Sequence, residues 1–170
     1  MTGRGQAAEK MIQALSSFYR RSLADDPTGD VALDQEVALQ RAYLEIESAR
    51  FPDRLVTRFE IPRELESASV PGMILQPLVE NAVKYAVAPT RKPVTVAIAA
   101  REEDGHLVIA VTDNGPGARK DSKSGFGIGL ANVRDRLEAR YGAEASLTAG
   151  PTETGGWQAV IRLPLERHDG

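Results

Sequence analysis

Apolar residues recur along this chain in two registers, one helical and one extended, and the texture changes at Pro52. From about Ala7 to Leu23 they fall at Met11, Ile12, Leu15, Phe18, Tyr19 and Leu23, the spacing of a wide helical stripe. Asp25-Asp-Pro-Thr-Gly-Asp30 breaks that stripe with a cluster of turn formers. A second helix is predicted from about Leu33 to Phe51. Leu33, Val37, Leu44 and Phe51 share one line, and Leu39, Tyr43 and Ile46 the next, so the helix is buried over much of its circumference. Beyond Pro52, Leu55–Ile61 alternates as a strand, and a polar loop runs through Ser69. Pro71-Gly72 opens a helical stretch, Met73 to about Val87, that ends before Pro89. Val94–Ala99 and Leu107–Thr112 read as strands joined at Asp104-Gly105, a hairpin signal. A glycine-rich loop, Asn114 to Gly129, leads into a helix from about Ile128 to Tyr141. Ser146–Ala149 and Trp157–Leu163 close the chain as strands around Gly155-Gly156. Strands and helices mix without strict alternation, which makes the fold class α+β.

Three segments carry chemistry. In Leu75-Gln-Pro-Leu-Val-Glu-Asn-Ala-Val-Lys-Tyr85, Leu75, Leu78, Val79, Ala82 and Val83 face the core of the predicted helix. Glu80, Asn81, Lys84 and Tyr85 then share the other side. An amide oxygen beside an ammonium suits magnesium, a hard cation that keeps phosphate oxygens in its shell; a solvated polar face is the alternative. In Val108-Ile-Ala-Val-Thr-Asp-Asn-Gly-Pro-Gly117 an apolar strand delivers Asp113 to a turn in which Gly115 and Gly117 allow backbone conformations closed to other residues. A carboxylate buried there needs a donor, such as the exocyclic amine of adenine; a plain strand-ending turn is the alternative. In Gly125-Phe-Gly-Ile-Gly-Leu-Ala-Asn-Val133, alternate glycines run into a helix whose free N–H groups and positive dipole end attract phosphate. The segment lacks both the Gly-x-Gly-x-x-Gly spacing of a dinucleotide site and the Lys-Ser/Thr of a P-loop. Between the last two lies Ala118-Arg-Lys-Asp-Ser-Lys-Ser124, a polar stretch suited to a lid.

In this order and with these contents, the segments resemble the N, G1 and G2 boxes of the GHKL superfamily: histidine kinases, DNA gyrase, heat-shock-90 chaperones and mismatch-repair ATPases. Within it, Tyr43-Leu-Glu-Ile-Glu-Ser-Ala-Arg-Phe-Pro-Asp-Arg-Leu55, Leu75-Gln-Pro-Leu-Val-Glu-Asn-Ala82 and Gly127-Ile-Gly-Leu-Ala-Asn-Val-Arg-Asp-Arg-Leu137 are similar to the LytS-like sensor histidine kinases. The resemblance implies a two-layer α/β sandwich of the Bergerat type, with a mixed sheet and helices on one face. It divides the chain into a helical hairpin at 1–52, part of a dimerisation region, an ATP-binding domain at 53–166 and a tail at 167–170. It implies ATP and Mg2+ as cofactors, with Asn81 on the metal and Asp113 on the adenine amine. Lys84, Tyr85, Gly115, Gly117, Gly125, Gly127, Ile128, Gly129 and Leu130 complete the nucleotide site, and Glu80 is the candidate catalytic group. A homodimer through the N-terminal helices, a response regulator as partner of the intact kinase, and a cytoplasmic location follow from the same resemblance.

Two departures qualify it. Only His106 and His168 exist, and neither lies on a helix before the core, so the phosphoacceptor is expected outside this chain. Gly156-Trp157 stands where the family carries Gly-Thr. Composition narrows the remaining classes. A net charge of -3 disfavours a nucleic-acid binder, the absence of cysteine excludes thiolate metal sites, and no apolar run is long enough to span a membrane. Two rival functions stay in view, a GHKL ATPase or chaperone-like module and a non-enzymatic regulatory module. The gyrase and mismatch-repair branches place a water-activating Glu four residues before the N-box Asn, where this chain has Pro77. Negligible independent ATP hydrolysis is therefore expected, and steady-state ADP release by the purified chain is the measurement that checks it.

Overall fold

The computed structural model describes residues 29–115 and 128–168, together with Lys10, Gln13 and Ser17, which are helical and exposed. The predicted helix Ala7–Leu23 otherwise lies outside the described residues. The chain then forms β1 (Asp30–Ala32), α1 (Leu33–Arg50), β2 (Leu55–Glu60), a 3-10 turn (Arg63–Leu65), β3 (Ser69–Pro71) and α2 (Gln76–Ala82), which continues as a π turn (Val83–Val87). There follow β4 (Val94–Glu103), β5 (His106–Asp113), α3 (Ile128–Tyr141), β6 (Ser146–Pro151) and β7 (Trp157–Pro164).

Five strands make one mixed sheet in the order β2-β4-β5-β7-β6, with β2–β4 parallel and the other pairs antiparallel. Period-two alternation decides which face is covered. Val94, Val96, Ile98 and Ala100 of β4, and Ala159, Ile161 and Leu163 of β7, point into the core. Their neighbours on the opposite face are half-buried, and Val56 at the β2 edge is 47% exposed. The expected α+β sandwich with helices on one face is therefore present. At the β4–β5 hairpin, Asp104 and Gly105 both take positive φ (52° and 76°), as a two-residue loop matched to strand twist requires.

The helices present their stripes to that face. Leu130, Val133 and Leu137 of α3 are buried at helical spacing, and each contributes roughly 1.5–3 kcal/mol by leaving water. In α1, Leu33, Val37 and Leu44 share their buried face with Glu36 and Gln40, both fully buried. The sequence reading set residues 1–52 apart as a hairpin. Within that range, β1 and α1 share one core with the sheet and the other helices, since β1 pairs with β3 and α1 packs against β2. The guanidinium of Arg41 stacks 4.2 Å above the Phe59 ring. Asp30, read from the sequence as a turn residue, begins β1 and is ion-paired with Arg140 of α3 at 2.9 Å.

Three further differences have local causes. The polar loop through Ser69 contains the 3-10 turn and β3, a strand too short to show alternation. The helix expected from Met73 begins at Gln76, since Met73 sits at φ +62°, outside helical space. The Glu36 carboxylate holds that bend: the backbone N–H groups of Met73 and Leu75 each donate to it at 2.8 Å. In the expected tail, Arg167 bridges to Ala68, and the His168 N–H donates to the Ser67 carbonyl.

Glu36→Ala removes two charge-assisted bonds and leaves two amide donors of a buried bend unpaired. A stability loss of about 3 kcal/mol is expected in urea denaturation, with an unchanged denaturant slope.

Candidate functional site

The start of α2 is built from α1. Beyond the Glu36 clamp, the Gln40 side-chain amide donates to Gln76 Oε1, and the Gln76 amide donates to Glu80 Oε1, both at 2.9 Å. This relay runs from a fully buried residue of α1 to an exposed carboxylate beside Asn81. Tyr43 lies in the same field: burial, then the charges of Glu47 and Glu80, push its phenol well above the ordinary value. As predicted, Leu75, Leu78, Val79, Ala82 and Val83 are buried. Asn81 is half-buried, while Glu80, Lys84 and Tyr85 are exposed, with the Lys84 ammonium 5.0 Å over the Tyr85 ring. From Val83 onward, Lys84 and Tyr85 included, the helix widens into the π turn, a form concentrated at functional sites.

β5 and β7 supply the other wall. Asp113 ends β5, is 4% exposed, and accepts the Gly115 N–H at 3.2 Å. Asn114 is anchored to β4, where its Oδ1 accepts the Thr95 N–H at 2.7 Å. A side chain on Gly115 would begin 2.6 Å from Ala86 Cβ, so only glycine lets this turn lie against the π turn. Gly156 is tighter still: a Cβ there would stand 2.1 Å from the Asp113 carbonyl oxygen. Next to it, Trp157 pairs with Asp113 across the sheet and is 6% exposed.

These elements converge. Leu78, Asn81 and Ala82 of α2, Val111 and Asp113 of β5, Leu130 of α3, and Trp157 and Ala159 of β7 line one cavity of about 10 Å3. Asn81, Asp113 and Leu130 of the predicted set are thus brought together. Gly115 lies against Ala86, and a Cβ added at Gly129 would stand 3.4 Å from Pro77 Cβ, where α3 packs on α2. Ile128 begins α3. Gly117, Gly125, Gly127 and the stretch Ala118–Ser124 lie outside the described residues. Sequence reasoning missed Glu36, Gln40 and Gln76, whose polar side chains give no apolar signal. It saw Gly156 as a turn residue and as the glycine of the Gly-Trp departure, without its close approach to Asp113. A larger open depression of about 610 Å3 lies by Phe59, Ile61 and Arg101, and shares no residue with this cavity.

The donor set suits a small divalent cation only in part-protein coordination. Among the described residues no group of three or more His, Asp or Glu side chains could hold a metal by itself. Asn81 offers one amide oxygen at the cavity wall, which fits an ion that takes its remaining ligands from phosphate and water. The two histidines stand apart. His106 starts the strand that Asp113 ends, which separates them by roughly 23 Å.

Residues 68–167 match the model of the histidine kinase-, DNA gyrase B-, and HSP90-like ATPase family, and residues 1–55 match a histidine kinase model. The sensor histidine kinase BtsS of Escherichia coli is 35% identical over 159 residues, covering 94% of this chain and 28% of that protein. The sensor histidine kinase YesM of Bacillus subtilis is 34% identical over 158 residues, covering 91% and 27%. The chain thus spans little more than a quarter of these relatives. Among solved structures, the catalytic domain of histidine kinase ThkA superposes with a TM-score of 0.62 at 16% identity, covering 79% of this chain and 93% of that one. The mycobacterial sensor histidine kinase MprB gives 0.57 at 20%, covering 81% and 97%. At these identities the structures show the shared fold.

Gly156→Ala forces its methyl into the Asp113 carbonyl, so the two strand ends must part. A loss of about 1–3 kcal/mol is expected from overpacking. It should come with a shift in the emission of the adjacent Trp157, measured by fluorescence-detected denaturation.

Proposed function

The chain belongs to the histidine kinase-, DNA gyrase B-, and HSP90-like ATPase family, and from that premise we propose that it carries the ATP-binding catalytic module of a sensor histidine kinase. The observation that carries the reading is the meeting of Asn81, from the last turn of α2, with Asp113, from the end of β5, in one cavity wall. Magnesium, when bound, neutralises charge on the transferring phosphoryl group. Asn81 would offer it one oxygen. Lys84, exposed one turn along from Glu80, stands free to approach phosphate. Asp113, buried at its strand end, accepts from an amine-bearing base, and the fixed Gly115 turn holds its carboxylate in place. Backbone N–H groups of Gly117, Gly125, Gly127 and Gly129 and the start of α3 supply the phosphate cradle, with Ile128 and Leu130 flanking it. Tyr85 completes the rim of α2.

Glu80 is the group assigned to the incoming histidine. Its carboxylate is oriented by Gln76 and exposed, so it accepts a proton from an imidazole presented from outside. His106 is not that acceptor, since it begins β5 at the opposite end from Asp113, and His168 follows the last strand, with its backbone N–H tied to Ser67. The acceptor histidine is assigned to a segment other than this catalytic body, and the N-terminal helices to pairing with a second copy. The intact kinase acts in the cytoplasm and passes its phosphoryl group to a response regulator. A complex of ThkA with the response regulator TrrA is known for that protein. No helix among the described residues is long and apolar enough to cross a membrane. The ATPase alternative is disfavoured by Pro77, which packs toward Gly129 and carries no base.

Calorimetric titration with MgATP tests the assignment. Asp113→Asn should weaken binding by about tenfold or more, the cost of turning a buried acceptor toward a donor it no longer complements. Unchanged affinity in that variant removes Asp113 from the base site.

A further inference from the structure

The chain has one tryptophan, and it stands in the cavity just described. Trp157 opens β7 directly opposite Asp113, with its side chain on the covered face of the sheet, in line with Ala159, Ile161 and Leu163. Leu78, Asn81, Ala82, Asp113 and Leu130 surround the same space. What remains open, about 10 Å3, is about the volume one water molecule requires. A purine does not fit there beside the indole. The indole is itself a flat bicyclic heteroaromatic, close to a purine in size, and it lines the same cavity as the carboxylate that a base amine would seek.

We propose that Trp157 occupies the base subsite and sets nucleotide affinity: a purine reaches Asp113 only when the indole has left its seat. The inference rests on the reading of this cavity as a nucleotide site. The local backbone favours an outward movement. Gly156 is pressed against the Asp113 carbonyl and cannot shift inward. On its other side Trp157 pairs with Pro151 of the edge strand β6, which has no N–H to give the ladder. The preceding turn contains Gly155 at φ +94° and closes on Thr152, whose hydroxyl accepts the Gly156 N–H at 3.0 Å. The indole is thus attached where β7 begins, beside a proline and a glycine turn, and its ring lines the cavity. Burial of that ring and binding of a base draw on the same apolar walls, so the two compete.

The single tryptophan makes the test direct. Acrylamide quenching of the intact chain is measured with and without saturating MgATP, and calorimetry compares the wild type with Trp157→Thr and Trp157→Ala. The expected results are an indole that becomes several-fold more quenchable when MgATP binds, and at least tenfold tighter MgATP binding by the smaller side chains. An indole that stays shielded at saturation overturns the proposal, even if neither variant folds. So does equal or weaker binding by folded variants, which would mean that the ring supports the base rather than excluding it. If wild type and both folded variants bind no MgATP, the nucleotide reading itself fails, and this inference fails with it.

Discussion

Much of this structure hangs on one buried carboxylate. Glu36 has no contact with solvent, and its two oxygens take the N–H groups of Met73 and Leu75. Charge-assisted bonds of this kind are the strong ones in a protein interior. They hold Met73 in a left-handed conformation, and that bend aims α2 across the sheet. With α2 aimed, Asn81 faces the end of β5. Without the bend, a helix begun at Met73 would carry Asn81 to another side, and the cavity would lose a wall. The site is thus assembled from outside its own motifs, by a helix whose covered face is partly polar.

That polarity also makes α1 more than a support. Gln40, Gln76 and Glu80 form a hydrogen-bonded line from the core to the surface. Among the described residues Gln40 Oε1 is buried without a partner. A network with an unmet acceptor is sensitive to small displacements, since its members gain little from staying and have alternatives nearby. β1, α1 and α3 are joined through the ion pair of Asp30 and Arg140. Displacement of the chain before β1 would therefore reach both α2 and the helix that starts at Ile128.

What could be read from the sequence follows the strength of its periodic signals. β4 and β7 alternate because one face is covered, β5 reads as a continuous apolar run, and α3 shows an unbroken stripe from Leu130 to Leu137. Asn81 and Asp113 were legible only jointly, through the order of their segments. β1 and β3 were not legible, since three residues carry no period and their pairing spans all of α1 and β2. Glu36 and Gln40 look like solvent-facing residues until their burial is seen, and no pattern rule marks a carboxylate that caps another element's backbone. Trp157 was visible as a departure in the final strand; only the sheet register set it beside Asp113.

The π turn at Val83–Val87 has a consequence for comparing such chains. Its hydrogen bonds reach one residue further than those of an ordinary helix, so it holds one residue more per closed ring. Removing a single residue there would restore α-helical winding and narrow the turn while keeping the residues after it in phase. Ala86, whose backbone and methyl now lie under Gly115, would lose the widened backbone that presses it there. Between relatives of unequal length, a one-residue gap in this stretch is therefore a change of wall geometry and not a trimmed loop.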